Sequence, residues 1–210
     1  MSKAGIPSKR DEILDVSEAL IRRVGFNGFS TRDVAEAVGI KAASVHYHFP
    51  MKADIGVAVT ERYTRRFLQD LGEPTEFDGD AKKVISRYVT SFRRALIRDE
   101  KLCLCAVLGA EIGSLPSEVG SNTRSFFEQN IEWLKSALTA CRLSDAKAKA
   151  YAVHVLASLE GAMIVSKTMR DESVFESVAK TLSKLADLWG TATTLAATAT
   201  SPSRGRSNST

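Results

Sequence analysis

The chain has 210 residues, of which 44% are hydrophobic and 26% charged, and its formal net charge is +4. This length suits one or two globular domains, and the composition excludes a disordered or collagen-like chain. No stretch has the roughly 18 consecutive apolar residues of a membrane helix, and the polar N-terminal segment lacks the apolar region of a signal peptide. We therefore expect a cytoplasmic protein.

The distribution of charge and the number of cysteines narrow the class of protein further. Eleven basic and eight acidic side chains fall within the first 66 residues, so most of the positive excess lies in the first third of the chain. This distribution suits an anionic partner of that segment. The three cysteines, at positions 103, 105 and 141, are an odd number and predict reduced thiols instead of a disulfide framework.

Apolar residues recur at helical spacing along nearly the whole chain, which predicts an all-α fold. A first helix is predicted at 8–24, and Gly25 can end it. Ser30 with Asp33 three residues later resembles a capping box and predicts a short second helix, which ends at Gly39. A third helix is predicted at 42–48, closed by Pro50, and a fourth at 52–71.

The second and third predicted helices have the pattern of a helix-turn-helix. Both are short, a glycine-containing turn separates them, and the apolar Ile40 can anchor that turn. The segment "GEPTEFDGD" then interrupts the helical pattern and is the predicted boundary between two parts. Beyond it, helices are predicted at about 80–98, 102–114, 117–141, 145–169 and 173–195.

The stretch "IKAASVHYHF", residues 40–49, contains two of the three histidines and admits four interpretations. A metal site at His46 and His48 is weak, because residues two apart on a helix point about 200° apart. The same geometry weakens a catalytic pair. Core packing accounts for Phe49 and part of Tyr47 only. A recognition helix, whose exposed side chains meet DNA, accounts for the whole set.

The segment "GFNGFSTRDVAEAVGIKAASVHYHFPMKADI" resembles the DNA-binding domain of the TetR family of transcriptional regulators, over about residues 9–66. The resemblance implies a homodimeric regulator, most often a repressor, that binds a pseudo-palindromic double-stranded DNA operator and responds to a small effector. It divides the chain into a helix-turn-helix domain at 1–52, a connecting helix at 52–71, an effector-binding and dimerisation domain at 72–197, and a disordered tail at 198–210. It implies no enzyme activity, cofactor or metal.

The resemblance also implies roles for individual side chains. Thr31 and Arg32 correspond to a phosphate contact and a guanine-reading arginine. The positions that meet bases or nearby phosphates hold Lys41, Ala42, Ser44 and His46. The positions that clamp phosphates hold Tyr47, His48 and Lys52. Two residues depart from the family pattern, since Lys41 and Met51 stand where a helix-capping hydroxyl is common, and the absence of a cap costs about 1 kcal/mol.

The segment "KLCLCAVLGAEIGSLP" resembles part of the subgroup that includes the N-ethylmaleimide-responsive repressor, a sensor of electrophiles. Cys103 and Glu111 fall on that subgroup's cysteine and glutamate, whereas Leu102 and Ala106 replace its flanking glycines. A sensing thiol must be partly exposed with a depressed pKa. The alternative is that Cys103 is a buried, unreactive side chain, since free cysteine often is.

Two further sets of residues are predicted in the C-terminal part. An effector pocket needs apolar walls and a few polar groups, and its candidates are Tyr88, Phe92, Cys103, Val107, Glu111, Phe126, Phe127, Trp133, His154 and Met163. Two broad apolar helix faces are candidates for a dimer interface or for internal core; they carry Tyr151, Val155, Leu159, Ala162 and Val165, and Val178, Leu182, Leu185, Leu188 and Trp189. The rival function is a cytosolic thiol enzyme or a ligand-sequestering helical bundle.

Overall fold

The computed structural model describes residues 8–98 and 101–199, with side chains described to residue 96 and over 101–189. Every element in these ranges is helical, which confirms the all-α prediction. The elements are α1 (Lys9–Val24), α2 (Thr31–Val38), α3 (Ala42–His48), α4 (Lys52–Leu71), α5 (Ala81–Arg93), a π-helical segment (Arg94–Arg98), α6 (Leu104–Ala110), α7 (Ser117–Ala140), α8 (Asp145–Met169) and α9 (Ser173–Ala199).

The first helix begins and ends where the local sequence predicts. The Ser8 hydroxyl accepts a hydrogen bond from the Asp11 N–H, which caps the first turn. Gly25 ends the helix with a φ of 81°, a conformation that favours glycine. The helix packs against α2 and α4, and Glu18 forms ion pairs with Arg62 and Arg66 of α4. These contacts fix the N-terminal helices on the long fourth helix.

The later helices form the larger part of the core. α8 packs between α7 and α9, while α5 packs against α9. α4 contacts α1 on one side and α5, α6 and α7 on the other, so it joins the N-terminal helices to the rest. It ends at Gly72, whose φ is 78°. The domain boundaries at 52 and 72 stay predictions, although α4 has the connecting position expected of it.

Three predicted elements differ in the structure. The last turn of the predicted helix 80–98 is π-helical over Arg94–Arg98. The predicted helix 102–114 covers only Leu104–Ala110, because Cys103 before it has a non-helical ψ of 133° and Glu111 after it has a ψ of 8°. The last helix continues to Ala199, two residues into the predicted tail, through an alanine-containing sequence that tolerates helix. The rest of that tail, residues 200–210, lies outside the described residues.

α8 has the length and composition of a membrane-spanning helix, although it contains no run of 18 consecutive apolar residues. An 18-residue window within its 25 residues has a mean hydropathy of 1.2, which meets the length and composition of a membrane span. A search for consecutive apolar residues misses it because Glu160 and other polar residues interrupt the run. In the structure 39% of the window is buried, and the helix lies against α7 and α9. A core helix of a bundle meets the same criteria.

Candidate DNA interface and interior cluster

The start of α2 holds a complete capping box. The Asp33 N–H donates to the Ser30 hydroxyl at 3.3 Å, and the Ser30 N–H donates to Asp33 Oδ2 at 2.6 Å. This pair satisfies two of the backbone N–H groups that a helix start leaves open. It fixes the first turn of α2, where Thr31 is half-buried and the Arg32 side chain is exposed.

The turn between α2 and α3 has the geometry that the glycine predicts. Gly39 is left-handed, with φ 73° and ψ 35°, and the Ile40 N–H donates to the Ala35 carbonyl at 2.9 Å. This is the usual way for a helix to end at glycine. Ile40 is half-buried against the core. The turn therefore sets the angle at which α3 leaves α2.

α3 presents nearly all of its surface to solvent. Within the helix only Val45 is buried, and Phe49 after it is buried as well. The side chains predicted to meet DNA remain exposed or half-buried, and Tyr47 is 84% exposed. The exposed ones are Lys41, Ala42, Ser44, His46 and Tyr47; His48 is half-buried. No acidic residue occurs between positions 37 and 53, so this surface suits a polyanion.

The two histidines do not converge. His46 Nδ1 lies 3.2 Å from the Pro50 carbonyl oxygen, whereas the His48 ring contacts the edge of Tyr47 at 5.2 Å between centroids. Across the described residues, no group of three or more His, Cys, Asp or Glu side chains could hold a metal ion. The two histidine side chains on α3 therefore have different neighbours and do not share a site.

Lys52, a predicted phosphate contact, has aromatic neighbours. Its Nζ lies 4.6 Å from the ring centroid of Phe26 and 4.4 Å from that of Phe29. Burial lowers the pKa of Lys52, and the charges of Glu111 and Asp33 oppose that change. A lysine held by two rings in this way is pre-positioned at the start of α4.

The start of α4 keeps part of its cap although Met51 stands where a capping hydroxyl is common in the family. Met51 cannot cap the helix with a hydroxyl, but its own N–H donates to Asp54 Oδ2 at 2.8 Å. One half of a capping box is therefore kept. No side chain caps α3 at Lys41, as the sequence predicts.

Glu111 lies at the junction between α6 and the loop that follows α1. The Phe26 N–H donates to Glu111 Oε2 at 2.6 Å, and a Cβ added to Gly25 would collide with the same carboxylate. Nearby, Arg22 Nε donates to the Leu102 carbonyl at 2.7 Å. Glu111 thus contacts the N-terminal helices and is not part of the interior predicted for it.

Three side chains from three different parts of the fold meet inside the C-terminal part. We call Tyr63, Cys103 and Glu160 the interior cluster. Cys103 is 1% exposed, and burial, with the Glu160 charge second, raises the pKa of its thiol well above the usual value. Burial also raises the pKa of Glu160 to about 7. In this structure Cys103 therefore lacks the exposure and the depressed pKa of a sensing thiol.

Four aromatic rings pack together next to Tyr63 of this cluster, and we call them the aromatic shell: Phe67, Tyr88, Phe92 and Phe126. Phe67 lies at their centre, with its ring centroid 6.0 Å from Tyr88, 5.5 Å from Phe92 and 5.6 Å from Phe126. Tyr63 of the interior cluster contacts Phe126 at 5.6 Å. The shell therefore adjoins the cluster through the contacts of Tyr63 with Phe67 on α4 and Phe126 on α7.

A hydrogen-bond relay holds part of this shell. The Tyr88 hydroxyl donates to Asn130 Oδ1 at 2.9 Å, and Asn130 Nδ2 donates to the Phe126 carbonyl at 2.8 Å. Trp133 stacks on Tyr88 at 6.0 Å and donates through Nε1 to the Gly72 carbonyl. All of these donors are therefore satisfied.

The structure brings together only some of the predicted effector residues. Those in or beside the cluster and shell are Tyr88, Phe92, Cys103, Phe126, Trp133 and Met163. Met163 is buried one turn after Glu160 on α8. Val107 and Phe127 are half-buried at α6 and α7, and the His154 side chain is exposed on α8. His154 therefore lies outside the interior cluster and its shell, because that side of α8 faces outward.

Sequence reasoning missed Tyr63, Phe67, Asn130 and Glu160. Tyr63 and Phe67 lie on α4, which the sequence assigns to the connection between domains. Glu160 carried a usable signal, since it is the single acidic residue in the otherwise apolar run "VHVLASLEGAMIV". A lone carboxylate in a core-facing run is rarely buried without a purpose.

The fold and these sites define a class of protein: a helical DNA-binding regulator with a helix-turn-helix followed by a larger helical bundle. Residues 13–59 match the family model for bacterial regulatory proteins of the tetR family, and residues 81–181 match the C-terminal domain model of LmrA/YxaF-like transcriptional regulators. The chain belongs to the TetR family of transcriptional regulators. Members of this family are DNA-binding proteins and not enzymes.

Similar proteins agree with this assignment. A TetR transcriptional regulator from Legionella pneumophila is 31% identical, has a TM-score of 0.82, and matches over 86% of this chain and 98% of its own. Reduced NemR from E. coli is 22% identical with a TM-score of 0.69, over 83% and 95% of the two chains, which shows a shared fold alone. The repressor KstR2 of Rhodococcus jostii is 32% identical over 68 residues, which span 32% of this chain and only 31% of KstR2.

Proposed function

We propose that the chain is a homodimeric, cytoplasmic repressor that binds a pseudo-palindromic operator through α3 and is released by a small effector. The exposed, acid-free surface of α3 is the observation that carries the proposal. A helix that buries only Val45 and exposes lysine, serine, histidine and tyrosine side chains is suited to the major groove. The similarity of one segment to KstR2, a repressor, supports the sign of control.

The proposed contacts divide into two kinds. Arg32, Lys41, Ala42, Ser44 and His46 lie at or near the first turns of α2 and α3, from which side chains can reach base edges or nearby phosphates. Thr31, Tyr47, His48 and Lys52 hold the phosphate backbone. Lys52 has the further advantage that Phe26 and Phe29 fix its position before DNA arrives.

The outer surface of α8 supports the dimer. Val153, Ile164, Val165 and Met169 are large apolar residues that remain 44% to 61% exposed in the single chain, and Leu188 on α9 is 63% exposed. Several of them lie at helical spacing, so one face of α8 offers a continuous apolar surface. Two copies joined through α8 and α9 would form a four-helix bundle with twofold symmetry.

Of the two routes of release, the structure favours a reversible effector. A thiol switch at Cys103 requires a reagent to reach a side chain that is buried and whose thiolate is disfavoured. The rival function of a thiol enzyme has the same requirement, and Cys105 is buried with a raised pKa as well. The interior cluster and its aromatic shell are better suited to binding a ligand than to nucleophilic chemistry.

DNA binding can be tested by selecting bound sequences from random duplex DNA with the full chain. We expect an enriched palindrome, and its absence would contradict the proposal. On that palindrome, Lys41→Ala should reduce the slope of log affinity against log salt by about 0.9 for each phosphate that the variant no longer neutralises. Arg32→Ala should also relax base preference, by about 1–3 kcal/mol at one position in each half-site. Arg124→Ala, an exposed cation on α7, is the matched control.

The dimer can be tested separately by sedimentation. Ile164→Glu should convert the dimer to monomer, because it places a charge in the proposed interface. Ile112→Glu is the matched control, since Ile112 is equally large and 49% exposed but lies after α6. A wild-type chain that is monomeric, or an unchanged dimer in the Ile164→Glu variant, would refute this interface.

A further inference from the structure

Glu160 is a buried acid whose carboxylate has, among the described residues, only the weakly donating Cys103 thiol as a hydrogen-bonding neighbour. Its residue is 9% exposed, and no group in the described part of the chain donates a hydrogen bond of ordinary geometry to either carboxylate oxygen. The Cys103 thiol is the one polar neighbour that lowers the pKa of this carboxyl, and a thiol is a weak donor. Buried polar groups are almost always hydrogen-bonded, so an orphaned carboxylate needs an explanation.

The surroundings of Glu160 suit positive charge. Its charge contributes to the raised pKa of both Tyr88 and Cys103, so both groups lie within electrostatic range of the carboxylate, while the Tyr88 hydroxyl donates to Asn130 Oδ1. Around these groups lies the aromatic shell, in which neighbouring ring centroids are 5.3–6.0 Å apart. Aromatic faces carry partial negative charge and attract organic cations, most strongly where water is excluded.

A surface cavity opens beside α8, the helix that carries Glu160. It measures about 520 Å³, a size that suits a small ligand, and is lined in part by Leu96 of the π-helical segment and by Ser166 of α8. Its other lining residues are two basic and two acidic side chains, so their formal charges cancel. Ser166 follows Glu160 by six residues, which is about 9 Å along a helix axis. Short π-helical segments are frequent at functional sites, because their wider turn departs from regular packing.

We propose that Glu160 and the aromatic shell form a binding site for an organic cation, an aromatic or alkyl ammonium whose charge pairs with the Glu160 carboxylate. The ammonium group supplies the counter-charge and the hydrogen bonds that the carboxylate lacks. The apolar body of the ligand lies among the rings and toward Leu96. Anionic ligands are disfavoured, because they would bring a second negative charge beside Glu160.

This proposal deepens the proposed function, since the cation would be the effector. Binding of a cation to the free protein does not depend on the protein being a repressor, whereas release from the operator does. The cation site and the repressor function can therefore be refuted separately. An ammonium that binds the free chain without changing its DNA affinity would retain the site and reject its role in regulation.

The test compares three probes that share one skeleton: 4-phenylbutylammonium, 4-phenylbutanol and 4-phenylbutyrate. Each is titrated by calorimetry into the full-length wild-type chain, with tetraphenylphosphonium as a bulkier cation. We expect the ammonium to bind more tightly than the alcohol, and the butyrate to bind least. Equal affinity for ammonium and alcohol, or no binding of either cation at concentrations of about 1 mM, would overturn the proposal.

The matching variant is Glu160→Gln, which keeps the size of the side chain and removes its charge. We expect it to lower the affinity for the ammonium by about tenfold or more and to leave the affinity for the alcohol nearly unchanged. Glu118→Gln, an exposed acid at the start of α7, is the control. An unchanged ammonium affinity in the Glu160→Gln variant would also overturn the proposal. The three-probe comparison on the wild type needs no variant to fold.

Discussion

The most informative single change for stability is Glu160→Gln. Burial raises the pKa of Glu160 from 4.5 to about 7 in the folded chain. Between these two values the folded chain holds a proton that the unfolded chain has released. Stability should therefore fall as the pH rises from about 4.5 through 7, and glutamine at this position should remove that dependence.

The magnitude follows from the difference between the two pKa values. A pKa difference of about 2.5, at about 1.4 kcal/mol for each pKa unit, gives at most about 3.5 kcal/mol. Near pH 5 the protonated acid and the amide have similar size and charge, so wild type and variant should differ little. At pH 8 the wild type must bury a carboxylate, and the variant should be more stable by up to that amount. Cys103 and Tyr88 are the titratable groups near Glu160. Their pKa values are raised well above the usual range, so both stay neutral between pH 5 and 8.

Urea unfolding of both proteins at several pH values between 5 and 8 measures this difference. Protein concentration must be fixed, since unfolding of a dimer depends on it. The chain has three histidines that titrate in the same range, but they are common to both proteins and cancel in the comparison. A difference between wild type and variant that stays constant from pH 5 to 8 would refute the argument, because it would mean that Glu160 has the same pKa folded and unfolded.

Three further changes test local features of the fold. Gly25→Ala should lower the free energy of unfolding in urea by about 2 kcal/mol or more. Alanine is strained at the positive φ of this position, and its Cβ would displace Glu111 from the Phe26 N–H. Gly113→Ala is the control, since a Cβ at Gly113 meets no atom within 4 Å. Ser30→Ala should cost about 1 kcal/mol through removal of the α2 cap, measured in the same way. Cys103 should react with a thiol reagent far more slowly in the folded chain than in urea, and equal rates would contradict its burial.

The N-terminal helices could be predicted closely because their signals are local. A capping box, a glycine after a short helix and a proline after another each fix one boundary within a few residues. The predicted helices 42–48 and 52–71 match α3 and α4 residue for residue. The exposed face of α3 follows from the same pattern, since it offers only one residue, Val45, to the core.

The interior could not be predicted in the same way. A helical pattern indicates which face is apolar, but not which helix lies opposite it. The sequence assigned α4 to a connection, yet Tyr63 and Phe67 on that helix form part of the interior. It placed His154 among the candidates for an effector pocket, although α8 turns that side outward. Long-range packing decided both cases.

Cys103 and Glu111 lie at opposite ends of the short helix α6 and belong to two different sites, although the sequence analysis places both in one effector pocket. Cys103 and Glu111 were both assigned to an effector pocket because they occur in one resembling segment. In the structure they flank the seven residues of α6, about 10 Å of helix. Cys103 lies in the interior cluster, whereas Glu111 accepts the Phe26 N–H beside Lys52, a proposed phosphate contact. α6 therefore links the proposed cation site to the DNA-binding helices through contacts at each of its ends. If α6 moves as a rigid unit, a ligand that displaces Cys103 also displaces the Glu111 carboxylate from the Phe26 N–H, and Glu111→Gln should then weaken the coupling between ligand and DNA binding.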